Sequence, residues 1–243
     1  MGERSSSLWR RIREILRWRG LFIFALLAVR ELLRPVVYWH VFYIFERDLA
    51  RQSLPEPYSK QKNENIEVSV YRRDTKNGGH YNDQDKKIDQ AKTVVAAMGE
   101  LVAEEIDIRL NRGDAVAIAC AAGEPVGYGW LSFSSGVVEL AFGITWMVRS
   151  DEAVRYGNFV PPRWRGRGIQ SFLNTAVNAF ARDLGIARTL ASISTLNPQS
   201  MSLAKHYRTA RTMKVVLIHI RGLNWTIQRT SGAPFEARFA RPA

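Results

Sequence analysis

Arg163-Trp164-Arg165-Gly166-Arg167-Gly168-Ile169-Gln170 is the segment whose residue types and spacing best suit chemistry. Two glycines permit a tight turn and let a ligand approach the backbone, while Arg165 and Arg167 add full charge beside them. Downstream, Ile169, Phe172, Leu173, Ala176, Val177, Phe180 and Leu184 mark one face of a helix that Gly185 ends. A basic glycine turn that opens a helix presents backbone N–H groups at the positive end of the helix dipole. Its natural ligand is an anion, above all a phosphate. No Gly-Lys-Ser/Thr follows, so this is not the nucleoside-triphosphate loop. The dinucleotide fingerprint fails too, because Ser171 takes the place of the third glycine.

Other chemistry is narrowed by what the chain lacks. One cysteine, Cys120, excludes an intrachain disulfide and the paired-cysteine zinc sites. The four histidines (His40, His80, His206, His219) are scattered, and no metal is expected. Such a chain does not depend on an oxidising compartment. The net charge of +12 is divided unevenly: +5 over residues 1–51, −4 over 52–148 and +11 over 149–243. Two basic ends around a slightly acidic middle imply an anionic partner: a phosphorylated cofactor, nucleic acid or a membrane surface.

The turn needs elements to hold it. Ile66–Arg72 alternates as a strand, and Ile88 to Leu110 carries helical spacing up to the stop at Asn111-Arg112-Gly113. Ala115–Ala121, Val126–Phe133 and Val138–Val148 read as strands joined at Gly123-Glu124-Pro125 and Ser134-Ser135-Gly136. Val154–Val160 is a further strand running into Pro161-Pro162 and the turn. After the helix come strand Thr189–Leu196, a short helix opened by Asn197-Pro198, and strands Met213–Ile220 and Trp225–Thr230. Asn197 and Pro198 suit a helix cap and first residue in their own right.

Arg163-x-x-Gly166-x-Gly168, the Val160-Pro161-Pro162 lead-in, Asn197-x-x-Ser200 and this order of elements resemble the GNAT acetyltransferase superfamily, over roughly residues 64–230. The resemblance implies an α/β fold: a mixed, mostly antiparallel central sheet flanked by helices. It implies acetyl-CoA as co-substrate, its pantetheine beside the backbone of Phe159 and Val160. The pyrophosphate would lie on the turn, among Arg163, Arg165, Gly166, Arg167, Gly168 and Ile169, with Asn197 framing the cofactor. It also implies a transferase whose general base is a carboxylate: Glu139, in an apolar strand where burial would raise its pKa, or Glu152, beside Asp151 and near Arg149 and Arg155. Both also fit as solvated surface charges. The acid that many members carry seven residues after the Asn is replaced by Ala204, and Tyr207 stands one turn later. CoA-binding without catalysis therefore stays open as an alternative. A nucleic-acid-binding module is a further alternative, but the basic block lacks interleaved aromatics.

The first 51 residues form a separate expectation. Leu8, Ile12, Ile15 and Leu16 share a helical face opposite Arg10, Arg13 and Arg17. Gly20–Val29 and Pro35–Phe45 are uncharged, the latter rich in aromatics. Neither approaches the roughly 20 apolar residues that span a bilayer, and no small-residue cleavage site follows Val29. Residues 1–51 thus read as a basic amphipathic helical arm lying on an anionic membrane surface or packing on protein. The arm precedes a linker at 52–63, the main domain at 64–230 and a tail at 231–243. Together with the fold, it resembles bacterial envelope-associated acetyltransferases. The expected place is the cytoplasmic face of the membrane, with an amino sugar or lipid-linked amine as acceptor.

Overall fold

The computed structural model describes residues 21–34, 36–51, 65–73, 83–99, 101–134, 139–141, 144–206, 209–220, 225–232 and 239–240. Tyr207, the expected linker at 52–63 and the first twenty residues lie outside them. In chain order the elements are helix α1 (21–33), strand β1 (Val37–Asp48), β2 (Ile66–Arg72), α2 (Asp83–Ala97), α3 (Ala103–Asn111), β3 (Ala115–Ala121) and β4 (Glu124–Ser132). Then come β5 (Glu139–Ala141), β6 (Ile144–Trp146), β7 (Glu152–Phe159), a 3-10 turn (Pro162–Trp164), α4 (Ile169–Asp183) and β8 (Arg188–Ser194). Last are α5 (Pro198–His206), β9 (Ala210–Ile220), β10 (Trp225–Gly232) and β11 (Phe239–Ala240). They form two compact bodies: Arg47–Ala191 with Phe239–Ala243, and the residues up to Glu46 with Ser192–Arg238.

The larger body holds the mixed, mostly antiparallel sheet flanked by helices that the resemblance implies. Its strands run in the order β8-β7-β4-β3-β2, and only β7 and β8 are parallel. The period of two along β3 divides its side chains between two cores. Ala115, Ala117, Ala119 and Ala121 face Ile169, Leu173, Val177 and Ala181 of α4; their small size lets the helix lie close to the sheet. Val116 and Ile118 face the other way, onto Ile88, Ala91 and Val95 of α2 and Ile106 and Leu110 of α3. Ala122 and Gly123, both at positive φ (49° and 81°), make the tight turn into β4.

Two expectations are corrected within this body. The single helix expected to run to Leu110 is two helices, because Gly99 takes the left-handed conformation (φ 79°) that ends α2. Glu104 and Glu105 then open α3, where acidic side chains suit the positive end of the dipole. The strand expected at Val138–Val148 is the hairpin β5–β6, and β11 pairs beside β6. The residues read as a tail thus include a strand, Phe239–Ala240.

The smaller body corrects the arm. Helix persists over 21–33, but Val37–Asp48 is a strand paired antiparallel with β9 from Val37↔Ile220 to Ile44↔Met213 and beyond a register shift. β10 lies on the far side of β9. On the other edge of β1, the Thr195 backbone N–H donates to the Val41 carbonyl at 2.9 Å. Phe42, Ile44 and Phe45 are buried. The run Val36-Val37-Tyr38-Trp39-His40-Val41-Phe42-Tyr43-Ile44-Phe45 is almost wholly β-branched and aromatic, which favours a pleated half-buried strand over a helix. In α1, by contrast, Leu21, Phe22 and Leu32 are 74%, 76% and 78% exposed. Among the described residues no helix is long and apolar enough to cross a membrane.

Candidate anion-binding turn and bulged strand

β7 delivers the chain to the glycine turn, and its two ends are built differently. At the start, Glu152↔Arg188 through Arg155↔Ala191 pair in parallel with β8. Glu152 is 1% exposed. Its Oε2 accepts the Arg149 N–H at 3.3 Å and its Oε1 lies 3.6 Å from Arg188 Nη2. Arg188 Nη2 also donates to Asp151 at 2.7 Å, and that bond holds the Asp151 carboxyl below its usual pKa. Glu152 is therefore neither a solvated turn charge nor a neighbour of the turn. Seven steps along the strand, about 23 Å, separate it from Phe159.

At the other end the register on β8 stops after Arg155. On β4, Trp130 faces Tyr156 and Tyr128 faces Phe159, so Gly157 and Asn158 oppose Gly129 alone. This is a β-bulge, and Gly157 supplies the positive φ (57°) it needs. The neighbouring strand must be bare to accept it. A Cβ on Gly129 would lie 2.4 Å from Asn158 Oδ1, and one on Gly127 would lie 3.0 Å from the Phe159 carbonyl and 3.2 Å from Val160 Cγ2. An isolated Gly157-Asn158 within a strand pattern was the available sequence signal for this bulge.

Beyond Val160 the 3-10 turn closes with Trp164 N–H donating to Pro161 O at 2.9 Å. Gly166 (φ 83°) and Gly168 (φ 86°) then reverse the chain, and Gly168 is the N-cap of α4 with no side-chain cap. The first helical bond is Ser171 N–H to Gly168 O at 2.7 Å. The amides ahead of it belong to the uncapped first turn, the group that suits an anion. Ile169 is buried and anchors the helix start in the core. The three arginines differ in what they do. Arg165 Nε donates to the Val160 carbonyl at 3.0 Å, bracing the turn against the strand end. Arg167 stacks over the Trp164 ring at 4.6 Å. Arg163, 72% exposed, pairs with Glu124. Phe159 packs on Tyr128 with ring centroids 5.6 Å apart. The donors and glycines present fit a pyrophosphate.

The other expected residues are Asn197, Glu139 and Tyr207. Asn197 belongs to the smaller body, where its Oδ1 accepts the Ser200 N–H at 3.2 Å as the cap of α5. Glu139 opens β5, opposite Thr145 in the three-stranded sheet rather than on β7. Tyr207 falls outside the described residues. Cys120 is half-buried, and burial pushes its thiol pKa up, away from nucleophilic use. Among the described residues no group of acidic, histidine and cysteine side chains could hold a metal ion.

A polar cluster lies beside the bulge that the sequence did not reveal. Asp114, fully buried, accepts from the Tyr156 hydroxyl and from Arg112; Arg112 Nη2 also donates to Tyr156 Oη at 3.0 Å. The Arg109 guanidinium stands 5.1 Å from the Trp130 ring centroid and 5.0 Å from that of Tyr156. Among the described residues, Arg109 Nη1, Arg112 Nε, Asp114 Oδ1 and Trp130 Nε1 have no hydrogen-bond partner though buried. Each such atom costs on the order of 1–3 kcal/mol.

No protein-family model matches the chain, and no curated protein matches it. Solved structures similar to it include a GCN5-related N-acetyltransferase from Sphaerobacter thermophilus (13% identity, TM-score 0.48, 85% of this chain and 57% of that one). A tandem GNAT protein from the clavulanic acid biosynthesis pathway is similar at 12% identity and TM-score 0.46, covering 78% of this chain and 53% of that one. The chain spans little more than half the length of these two. The aminoglycoside N-acetyltransferase AAC(6')-Iy, solved in complex with CoA, is similar at 14% identity and TM-score 0.41, over 60% of this chain and 88% of that one. GNAT acetyltransferases, the superfamily that Arg163-x-x-Gly166-x-Gly168 resembles, are thus among the solved structures similar to this chain.

Proposed function

We propose that this chain is an acetyl-CoA-dependent N-acetyltransferase of the GNAT type that acts on a primary amine. One observation carries the proposal: a bulged strand end feeds a glycine turn at the uncapped start of α4. Acetyl-CoA brings an activated thioester, so the protein has to bind, orient and supply a neutral amine. The amides from Gly166 to Ile169 would hold the pyrophosphate, with Arg167 beside them and Arg165 keeping the turn in place. The backbone at Phe159 and Val160 would receive the pantetheine arm. Release of CoA thiol from acetyl-CoA in the presence of glucosamine, spermidine or lysine tests this. Turnover of at least one amine is expected. Saturable acetyl-CoA binding with no turnover of any amine would favour the second reading, a CoA-binding relative without chemistry, which the distance of Glu152 from the turn keeps in view.

The proposed place of action is the cytoplasmic membrane surface, with an amino sugar or lipid-linked amine as acceptor. Leu21, Phe22, Leu32 and Val36 expose apolar area, and residues 1–51 carry ten arginines against five acids. Each arginine near an anionic surface contributes on the order of 1 kcal/mol, and buried apolar area roughly 25 cal/mol per Å². The full-length protein should float with anionic liposomes at low salt, and Phe22→Glu with Leu32→Glu should abolish flotation. Flotation unchanged in that double variant would remove α1 from any membrane contact. Deleting residues 1–47 is not a usable test, because it would remove β1 from the sheet of the smaller body.

A further inference from the structure

A proton must leave the acceptor amine, and neither carboxylate expected from the sequence belongs to the bulged end of β7: Glu152 is at the strand's other end, and Glu139 opens β5 in the three-stranded sheet. Resting on the acetyl-transfer proposal above, we infer that Tyr156 and Asp114 form the base of this enzyme, Tyr156 taking the amine proton and passing its own to Asp114. Three observations lead there. Tyr156 sits on β7 immediately before the Gly157–Asn158 bulge, at the strand end that runs into the turn. It is half-buried, whereas Asp114 is wholly shut off from solvent. Its hydroxyl donates to Asp114 Oδ2 and accepts from Arg112 at 3.0 Å, which leaves one lone pair on Oη for a further donor.

The surrounding charges suit the hand-over. Arg112 holds Asp114 and Tyr156 together, and Arg109, paired with Glu105, lies 5.0 Å from the Tyr156 ring centroid. Trp130 closes the same side, its ring 6.4 Å from that of Tyr156. Burial, with Asp114 alongside, raises the Tyr156 pKa well above the usual phenol value, so the hydroxyl keeps its proton until another replaces it. In the step, an N–H bond of the protonated amine breaks and its proton joins Tyr156 Oη. The Tyr156 O–H proton passes to Asp114 Oδ2, and the nitrogen retains its electron pair for the carbonyl carbon. Asp114 ends neutral, and the reverse hand-over through Tyr156 returns the proton to solvent.

The test compares Tyr156→Phe and Asp114→Asn with the wild type, using acetyl-CoA and whichever of glucosamine, spermidine or lysine the wild type acetylates. At pH 7 both variants should lose roughly 100-fold or more in kcat/KM, the usual weight of general-base catalysis, while acetyl-CoA affinity stays within about twofold. As pH rises toward the amine pKa, near 10.4 for a lysine side chain, the substrate loses its own proton. The deficit should then shrink to less than about tenfold by pH 9.5. A merely structural role predicts a deficit equal at all pH values, and that result overturns the assignment. So does wild-type kcat/KM in either folded variant. If the wild type acetylates no amine, the acetyl-transfer proposal fails and the relay with it. That outcome is distinct from an active wild type whose variants are unaffected.

Discussion

The two ends of β7 are made of the same backbone and put to different uses. At Glu152 the strand is paired on β8, its carboxylate is buried, and Arg149 and Arg188 hold it. At Phe159 the pairing with β8 has stopped, a glycine carries positive φ, and Gly127 and Gly129 strip the neighbouring strand bare. One end spends its polar groups on itself; the other leaves backbone and space for something else. Ligand sites at strand ends need this asymmetry, because a strand satisfied along its whole length has nothing left to offer.

Changes at the two ends should therefore separate stability from activity. The largest effect is expected at the paired end. Glu152→Ala removes a buried acceptor from the Arg149 N–H and a neighbour from Arg188, and the loss should be about 1.5–3 kcal/mol, since Asp151 still holds Arg188. Chemical denaturation would read that loss, and acetyl-CoA affinity should not move. At the bulged end, Gly157→Ala forces an L side chain to φ 57°, at about 1–2 kcal/mol, and places a Cβ 2.8 Å from Arg109 Nη1 and 3.2 Å from Trp130 Cδ1. Here turnover should fall more than tenfold for a smaller loss of stability. If Gly157→Ala costs stability alone, the bulge has no part in the chemistry. Arg163→Ala breaks an exposed pair with Glu124, so less than about 1 kcal/mol should be lost. A finer effect concerns pH. Because Arg188 lowers the Asp151 pKa, whatever stability the pair adds is complete above the ordinary carboxylate range. It is lost as pH falls through the lowered folded-state value. Melting curves of wild type and Asp151→Asn should converge at that acid end, and salt should narrow their difference at neutral pH.

The sequence made the turn legible because everything that defines it is contiguous: Gly166, Gly168, three arginines and the apolar stripe of α4 lie within some twenty residues. Strand β2 was legible for the same reason, since Ile66, Val68 and Val70 alternate along one face. β1 was not, because an uninterrupted apolar run carries no period to tell strand from helix, and its partner β9 lies over 160 residues away. The Glu152 site failed for a different reason. A charge beside two arginines in sequence looks like a surface turn, and only the fold brings Arg188 to bury it. Nor could the Asp114–Tyr156 pair be read, since 42 positions and four intervening strands separate its members. Local chemistry shows in a sequence; chemistry assembled from distant strands does not.

The most direct test of the account is a calorimetric titration of acetyl-CoA into the wild type, Glu152→Gln and Gly168→Val, each checked by its melting curve. Saturable binding to the wild type is expected, with affinity within about twofold in Glu152→Gln and a loss of roughly 100-fold or more in Gly168→Val. Gly168 holds φ 86° at the cap of α4, where a branched side chain would close the approach to the amides. Wild-type affinity in a folded Gly168→Val variant, or no binding of acetyl-CoA to the wild type, would contradict the assignment of this turn as the cofactor site.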